Sequence, residues 1–331
     1  MDPGRDNRVR WAQGERAGHV ESHFLKANAP NGSRAIWVKH TIFVPRGRPE
    51  DAVAEVWAIG FDRARNRNVA VKAQVPLQAA KLSERPFRLE AAGSTLETGV
   101  ARGHAKSNAH YIGWALRFTT DGTPFHPFPF ERMYETALPK SKALTPYPDV
   151  RFSGTFEVDG ERWDLDDWPG MQGHNWGRQH ADAYAWCHCN AWTDAPSGTW
   201  FEGLSARVKL GPVRTPWLSL AGLHVEGVTY RFDRMRAILS RPIEVGLYVW
   251  RCKLRSARAS LRVHVEADRR AMAGLFYENP NGSMTHCLNS KLASGTIVLS
   301  RPGKSDLTLR STTMALELGT KNVKHGVEML V

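Results

Sequence analysis

The sequence has few of the features that mark membrane-spanning, secreted or metal-binding proteins. Its 331 residues include only four cysteines, and none of them form the Cys-x2-Cys pairs of typical zinc sites. No segment approaches the roughly eighteen consecutive apolar residues of a transmembrane helix. The first ten residues contain no apolar stretch, so we expect no secretory signal, reduced cysteines and a cytoplasmic protein.

Dense runs of basic residues are also missing, although the formal net charge is +12. Arginines are interleaved with acids, as in residues 61–67 and 231–236, and no nucleic-acid-binding motif is present. The charge therefore predicts no nucleic-acid partner. A basic surface that discourages aggregation is the simpler interpretation, and weak peripheral attraction to anionic membranes is the other. Nothing in the sequence indicates the oligomeric state.

Helical periodicity is scarce, and most of the chain alternates with the period of a β-strand. In residues 35–44 the side chains of Trp37, Lys39 and Thr41 lie opposite an aliphatic face, and residues 259–266 alternate in the same way. Turn signals separate such segments: Pro30-Asn31-Gly32, Asp121-Gly122, Asp159-Gly160, Pro196-Ser197-Gly198, Asn281-Gly282 and Pro302-Gly303. This pattern predicts an all-β protein built from barrels or sandwiches, with at most short helices near residues 48–56 and 234–239.

Length and a weak repeat predict two domains. A chain of 331 residues exceeds the size at which single cores stop growing. The turn at residues 29–32 precedes Trp37, much as the similar turn at residues 195–198 precedes Trp200, and the offset is about half the chain. We predict the following division: a flexible arm at 1–18, an N-terminal barrel at 19–172 and a C-terminal barrel at 173–331.

Residues 170–180, Gly-Met-Gln-Gly-His-Asn-Trp-Gly-Arg-Gln-His, give the strongest indication of chemistry. His174 stands in a glycine-bracketed turn and on no apolar face, so it is a candidate proton donor, proton acceptor or polar ligand contact. Trp176 can offer its π-face to an apolar molecule or to a developing carbocation. The alternative is structural, because the His174 ring can simply hydrogen-bond the domain junction together.

The following segment, residues 183–193, has one face of large side chains and one of small ones. As a strand it divides into Tyr184, Trp186, His188, Asn190 and Trp192 against Ala183, Ala185, Cys187, Cys189 and Ala191. Small side chains inside a barrel leave a cavity and large ones fill it, but the pattern does not say which face points inward. The alternative is that the aromatic face packs between the two halves.

A metal site in this segment is not expected. On a strand, Cys187 and Cys189 face away from His188, so the three side chains cannot converge on one ion. Buried free thiols behave as small hydrophobic groups. We therefore predict no metal and no other cofactor.

Three segments carry a family resemblance: Glu21-Ser22-His23-Phe24-Leu25-Lys26-Ala27-Asn28, Gly173-His174-Asn175-Trp176-Gly177, and Asn279-Pro280-Asn281-Gly282 continued by Cys287-Leu288-Asn289-Ser290-Lys291-Leu292-Ala293. The sequence resembles the carotenoid 1,2-hydratase (hydroxyneurosporene synthase) superfamily, which includes tocopherol-cyclase-like and AttH-like proteins and fungal lipocalin-like Diels–Alderases. The resemblance spans residues 18–318. It implies two lipocalin-like barrels side by side, with an apolar ligand pocket at or near their junction.

The resemblance also bears on single residues. His174 and Trp176 match the His-x-Trp of the family, which implies that they lie at the active site. The hydratases have a Tyr-x-Asp pair on a following strand, and this chain has Phe201-Glu202-Gly203 there. That departure argues against carotenoid hydration itself. Glu202 can replace the missing acid if its side chain points into the pocket.

These observations predict a protein that binds a hydrophobic isoprenoid, polyketide or lipid and catalyses cofactor-free hydration, cyclisation or isomerisation. In the hydration version, protonated His174 or Glu202 protonates a double bond, and Trp176, Tyr184 and Trp186 stabilise the cation. The predicted catalytic residues are His174, Trp176 and Glu202, and the predicted ligand-binding residues are Asn175, Tyr184, Trp186, His188, Trp192 and Phe201. A non-catalytic carrier of hydrophobic ligands is the alternative.

Overall fold

The computed structural model describes residues 3–107, 109–181, 183–210 and 213–331. Within these residues nearly all regular structure is antiparallel strand, which confirms the predicted all-β class. The helices are short: α1 Pro3–Asn7, α2 Met235–Ile238, and 3₁₀ turns at Pro49–Asp51, Leu77–Ala79, Glu131–Tyr134 and Arg269–Ala271. None of the described helices has the length and apolarity needed to cross a bilayer.

The first sheet has eleven strands and curls back on itself. They are β1 His19–Asn28, β2 Arg34–Val44, β3 Val53–Asp62, β4 Arg67–Pro76, β5 Lys81–Glu84, β6 Phe87–Ala91, β7 Ser94–Glu97, β8 Val100–Ser107, β9 His110–Phe118, β10 Ser141–Val158 and β11 Glu161–Gly177. Their order is β4-β3-β2-β1-β11-β10-β9-β8-β7-β6-β5. Because β4 also contacts β8 and β9, the sheet encloses an aliphatic and aromatic interior.

The second sheet has ten strands, with a separate two-stranded hairpin beside it. Its strands, together with those of the hairpin (β14 and β15), are β12 Ala183–Cys189, β13 Trp200–Arg207, β14 Lys209–Leu210, β15 Val213–Arg214, β16 Leu218–Val225, β17 Val228–Phe232, β18 Ile243–Val245, β19 Val249–Arg255, β20 Ser260–Glu266, β21 Ala273–Glu278, β22 Met284–Ser300 and β23 Leu307–Thr320. The order is β17-β16-β13-β12-β23-β22-β20-β19-β18, with β21 paired to β22. A second core fills its interior.

The two sheets follow the same plan. In each, the first strand lies between the second strand and the last one, so β1 sits between β2 and β11 and β12 between β13 and β23. The repeated turns at 29–32 and 195–198 connect the first strand to the second in both sheets. Residues 173–177 pair within the first sheet as part of β11. The division into independently folding domains is not tested by this topology and stays a prediction.

Strands at the junction of the two sheets are buried on both faces, one in a sheet interior and one between the sheets. On β2, Ile36 and Val38 point into the first interior, whereas Trp37 packs in a third apolar cluster between the sheets. On β12, Cys187 belongs to the second interior and Trp186 to the cluster between the sheets. The small face of residues 183–189 therefore points inward, and the aromatic face points toward the junction.

A buried polar network crosses the same junction. The Lys26 ammonium donates to Asn28 and to Asn190, each at 3.0 Å, and the Asn28 amide donates to the carbonyl of Lys291 at 2.7 Å. The Lys291 ammonium in turn lies 2.7 Å from Glu317. Buried N–H groups are costly without acceptors, so this network fixes the position of one sheet on the other.

Candidate functional site

A cavity of about 280 Å³ opens between the outer faces of the two sheets. The first sheet contributes Phe24 and Trp37 to its wall, and the second contributes Tyr184, Trp186 and Leu204. The connection between β9 and β10 closes one side with Phe128, Pro129 and Met133. A mostly apolar hollow of this size, with a few polar groups, is typical of a small-molecule site.

Two glycines let aromatic rings lie close against the strands of the cavity wall. A Cβ on Gly173 of β11 would come within 2.3 Å of the Phe24 ring, and one on Gly319 of β23 within 2.0 Å of the Tyr184 ring. Any larger residue at either position would push its ring into the cavity. The two glycines therefore help to set the depth of the cavity.

Glu202 is the acid of this cavity. It lies on β13 and is 4% exposed. The indole Nε1 of Trp186 donates to its Oε1 at 3.1 Å, and the Thr145 hydroxyl donates to its Oε2. Burial raises the pKa of Glu202 to about 7, and the hydrogen bonds from Thr145 and Trp186 oppose this increase only in part. At neutral pH the group is therefore present both as an acid and as a base.

The hydrogen bonds also indicate which oxygen carries the proton. An indole N–H donates and cannot accept, so Oε1 of Glu202 stays an acceptor for Trp186 in both protonation states. The Thr145 hydroxyl can reverse its role and accept from a protonated Oε2. The transferable proton of Glu202 is accordingly on Oε2.

His174 borders the cavity, but both of its ring nitrogens are already engaged. It pairs with His23 across β1 and β11, and the two rings stack with centroids 3.9 Å apart. Its Nδ1 donates to the carbonyl of Asp6 at 2.6 Å, and its Nε2 lies 2.8 Å from the Glu21 carboxylate. The imidazole thus joins the N-terminal segment to the first sheet, which is a structural contact at a different place from the domain junction considered in the sequence analysis.

Glu21 is the centre of that attachment. Its buried carboxylate accepts from the backbone N–H groups of Arg10 and Trp11 at 2.9–3.0 Å, and from His19 and His174 at 2.9 and 2.8 Å. Burial favours the neutral form, but hydrogen bonds from His174 and His19 hold the pKa of Glu21 well below its usual range. The residues predicted as a flexible arm therefore include buried anchoring contacts.

Glu21, His23 and His174 also form the one group of side chains, among the residues described, with the spacing of a metal site. Their ligand atoms all lie within 4.8 Å of one another. The three side chains have protein partners, however, because His23 Nε2 donates to the carbonyl of Asn7 at 3.0 Å and Glu21 accepts the bonds given above. The group is complete as an anchor for the N-terminal segment.

Substitution of His174 by alanine should therefore lower stability. Removing a buried ring that serves Glu21 and the Asp6 carbonyl should reduce the free energy of unfolding by about 2 kcal/mol, as measured by urea denaturation. Trypsin should also cleave the N-terminal segment faster, at Arg8 and Arg10. The exposed His264→Ala variant is the control. Unchanged stability together with lost turnover would instead favour a catalytic His174.

Trp176 lies outside the cavity. It packs with Tyr134 and Leu144 in a small separate cluster, and the Arg10 guanidinium lies 4.6 Å from its ring centroid. It borders a polar surface depression next to Glu135. Because Trp176 borders this depression and not the cavity, it is poorly placed to stabilise a cation of a ligand held in the cavity.

The predicted ligand-binding residues divide in the same way. Asn175, Tyr184 and Trp186 line the cavity, whereas His188, Trp192 and Phe201 do not. His188 is fully buried and its Nε2 donates to a backbone carbonyl at 2.8 Å, and the Trp192 indole donates to another at 2.9 Å. Phe201 belongs to the interior of the second sheet, because neighbouring positions on a strand point to opposite faces and Glu202 takes the cavity side.

Sequence reasoning missed several cavity residues, which are Lys39, His180, Tyr277 and Glu317. For Lys39 a signal existed, because the segment 35–44 has an aliphatic face and a second face with a tryptophan and a lysine. The other three come from segments whose position over β2 depends on the packing of the two sheets. No local pattern indicates that packing.

Comparison with known proteins agrees with this architecture. The family described as tocopherol cyclase-like matches residues 148–320, just over half of the chain. The fold is similar to that of an AttH candidate from Nitrosomonas europaea, with 12% identity and a TM-score of 0.52 over 93% of this chain and 96% of that one. It is also similar to CghA, crystallised with Sch210972, with 12% identity and a TM-score of 0.58 over 92% of this chain and 88% of that one. No curated protein matches the sequence.

The family match confirms the predicted relation to tocopherol-cyclase-like proteins. At 12% identity the two structures show the fold alone. The narrower likeness to carotenoid hydratases is not tested by these matches and stays a prediction.

Proposed function

Because the chain belongs to the tocopherol cyclase-like family, we propose that it binds an apolar small molecule between its two sheets and converts it without a cofactor. The reaction class is cyclisation, hydration or isomerisation that begins with protonation of a double bond. Isoprenoids, polyketides and unsaturated lipids have the required apolar bodies and double bonds. The cavity supports this proposal through its aromatic wall, in which Glu202 is a buried acid.

The observation that carries the proposal is the buried carboxyl of Glu202, with a pKa raised to about 7 by desolvation. A general acid works best when its pKa lies near the pH of the reaction, and it typically contributes about 10²–10⁴-fold. In the proposed reaction, Oε2 gives its proton to one carbon of the double bond, and the positive charge develops on the other. A carboxylate remains on Glu202.

The aromatic wall then stabilises the charge. The rings of Trp186, Tyr184 and Phe24 all border the cavity and can offer a π-face to a cation. A second double bond or a hydroxyl of the same molecule closes the ring, or water adds, and the proton released returns to Glu202. Enclosure between the sheets keeps other water away and restricts the conformations of the chain being closed.

Glu202 is a better acid for this step than His174. Both ring nitrogens of His174 are held by Asp6 and Glu21, so proton transfer from this ring would break the attachment of the N-terminal segment. The Oε2 proton of Glu202 is shared only with the Thr145 hydroxyl. We assign the cation-stabilising role predicted for Trp176 to Trp186, which donates a hydrogen bond to Glu202 and lines the cavity.

The proposal is tested by the molecules that the protein retains when it is purified from its own source cells. Glu202→Gln should retain the unconverted substrate and the wild type its product, as shown by mass spectrometry of solvent extracts. The two compounds should be isomers for cyclisation or isomerisation, and should differ by one water for hydration. The surface variant Glu244→Gln should match the wild type.

Two other outcomes contradict the proposal. If wild type and Glu202→Gln retain the same compound, the protein is a non-catalytic carrier. If neither retains an apolar compound and neither binds one when it is added, the cavity is not a ligand site.

A further inference from the structure

Lys39 is a buried amine on the wall of the cavity. It lies on β2, directly opposite Phe24 on one neighbouring strand and Trp57 on the other, and is 5% exposed. Its Nζ lies 3.8 Å from the ring centroid of Tyr277, 4.6 Å from that of Trp57 and 5.2 Å from that of Trp37. Three aromatic faces thus surround the ammonium group.

Among the described residues, the Lys39 ammonium has no hydrogen-bond acceptor, and no carboxylate oxygen lies within 4.0 Å of it. The acids that act on it electrostatically have lysines of their own, since Glu55 pairs with Lys72 at 2.7 Å and Glu317 with Lys291 at 2.7 Å. Aromatic faces compensate for only part of the lost hydration of a buried cation. Lys39 therefore brings unused N–H donors and an unpaired positive charge to the cavity.

We propose that Lys39 binds an anionic oxygen head group, such as a carboxylate, enolate or phenolate, of an otherwise apolar ligand. This inference rests on the proposed function only in requiring that the cavity hold a ligand. Charge-assisted hydrogen bonds from an ammonium to an oxygen anion are strong when both groups are shielded from water. A ligand held at Lys39 presents its apolar body to the rest of the cavity, where Glu202 lies.

The other titratable groups near Lys39 leave its charge uncompensated. Burial and the positive charge of Lys39 lower the pKa of His180 to about 3, and burial raises the pKa of Tyr277 well above its usual range and that of Cys287 to about 12. These three are therefore neutral at pH 7. Burial lowers the pKa of Lys39 itself to about 8, so the ammonium form still prevails at pH 7.

The test compares cis-parinaric acid with its methyl ester, two fluorescent ligands that differ in the charge of the head group. The wild type should bind the acid at pH 7 about tenfold more tightly than the ester, which corresponds to about 1.4 kcal/mol. Lys39→Met should bind both with equal affinity. Lys142→Met is the matched control, because Lys142 also borders the cavity but donates to the carbonyl of Pro139 at 2.8 Å.

The inference is overturned if the wild type binds acid and ester equally, or if Lys39→Met keeps the preference or Lys142→Met loses it. If Lys39→Met does not fold, the pH dependence of ligand binding by the wild type tests the inference. Its preference for the acid should disappear between pH 7 and about 9.5, where the amine loses its proton and the ligand stays ionised. A preference that persists at the higher pH contradicts the inference.

Tight binding of the ester without preference for the acid rejects this inference but not the proposed ligand site in the cavity, whereas no binding of either ligand rejects both.

Discussion

Replacement of Glu202 by glutamine is expected to reduce turnover by about 10²–10⁴-fold and to leave ligand affinity nearly unchanged. Glutamine has the same shape and can still accept from the Trp186 indole and donate to the Thr145 hydroxyl, so the cavity wall stays intact. It has no proton to give at any accessible pH. The measurement is kcat with the compound that the glutamine variant retains.

The pH dependence of kcat tests the same assignment. The active form is the protonated acid, so kcat should fall as the pH rises through about 7, the pKa of Glu202. Thr145→Val removes a hydrogen bond that lowers this pKa, so the decline should move to higher pH. Glu244→Gln, on the surface, should show the profile of the wild type. A profile that Thr145→Val does not move would indicate that another group supplies the proton.

A second large effect is expected on stability, which should decrease steeply as the pH falls below about 6.5. Four histidines have lowered pKa values, namely the buried His23, His40 and His188 and the partly buried His180. Burial is the main cause in each, and the pKa falls to about 4 for His40 and to about 3 for His180. In the unfolded chain each returns to about 6.5.

The direction follows from proton binding. Below about pH 6.5 the unfolded chain binds protons that the folded protein does not, so this stability is present above 6.5 and is lost as the pH falls toward the folded-state values. Between about pH 6.5 and 4.5 the raised pKa of Glu202 acts in the opposite direction, because the folded protein binds one proton there that the unfolded chain does not. The net difference of three protons corresponds to a slope on the order of 4 kcal/mol per pH unit, and typical domains have only about 5–15 kcal/mol in total. Urea denaturation at pH 7, 6 and 5 measures the slope.

Variants at single histidines provide the controls for this pH dependence of stability. His40→Gln should reduce the slope by about one proton, because His40 contributes its neutral ring and a hydrogen bond to Ser94. His264→Gln, at an exposed position, should leave the slope unchanged. A slope of less than one proton between pH 6 and 5 would mean that these histidines do not stay neutral inside the protein.

Much of the fold could be predicted because strand periodicity is local. The alternation around Ile36 and Val38 gave the inward face of β2, and the turn at residues 195–198 gave the boundary between two strands. Which face of residues 183–193 points inward could not be predicted. Both faces are buried. The face that carries Cys187 lies in the second interior, and the face that carries Trp186 lies between the sheets. Periodicity shows that two faces differ, but it does not show what covers each of them.

The site was predictable where it depends on that alternation. Tyr184, Trp186 and Glu202 reach the cavity from β12 and β13, as the strand pattern allowed. The surroundings of His174 were not predictable, because Asp6 meets it from a polar segment without periodicity, through a backbone carbonyl. Contacts between a side chain and the backbone of a distant segment have no counterpart in composition or spacing.

The location of the cavity has a consequence for how this protein can change over generations. The strands that carry Phe24, Trp186 and Leu204 have one face in a sheet interior and the other toward the cavity, so substitutions at these three positions reshape the cavity without opening either interior. Substitution can therefore change the shape of the cavity on one side of a strand while the other side preserves folding.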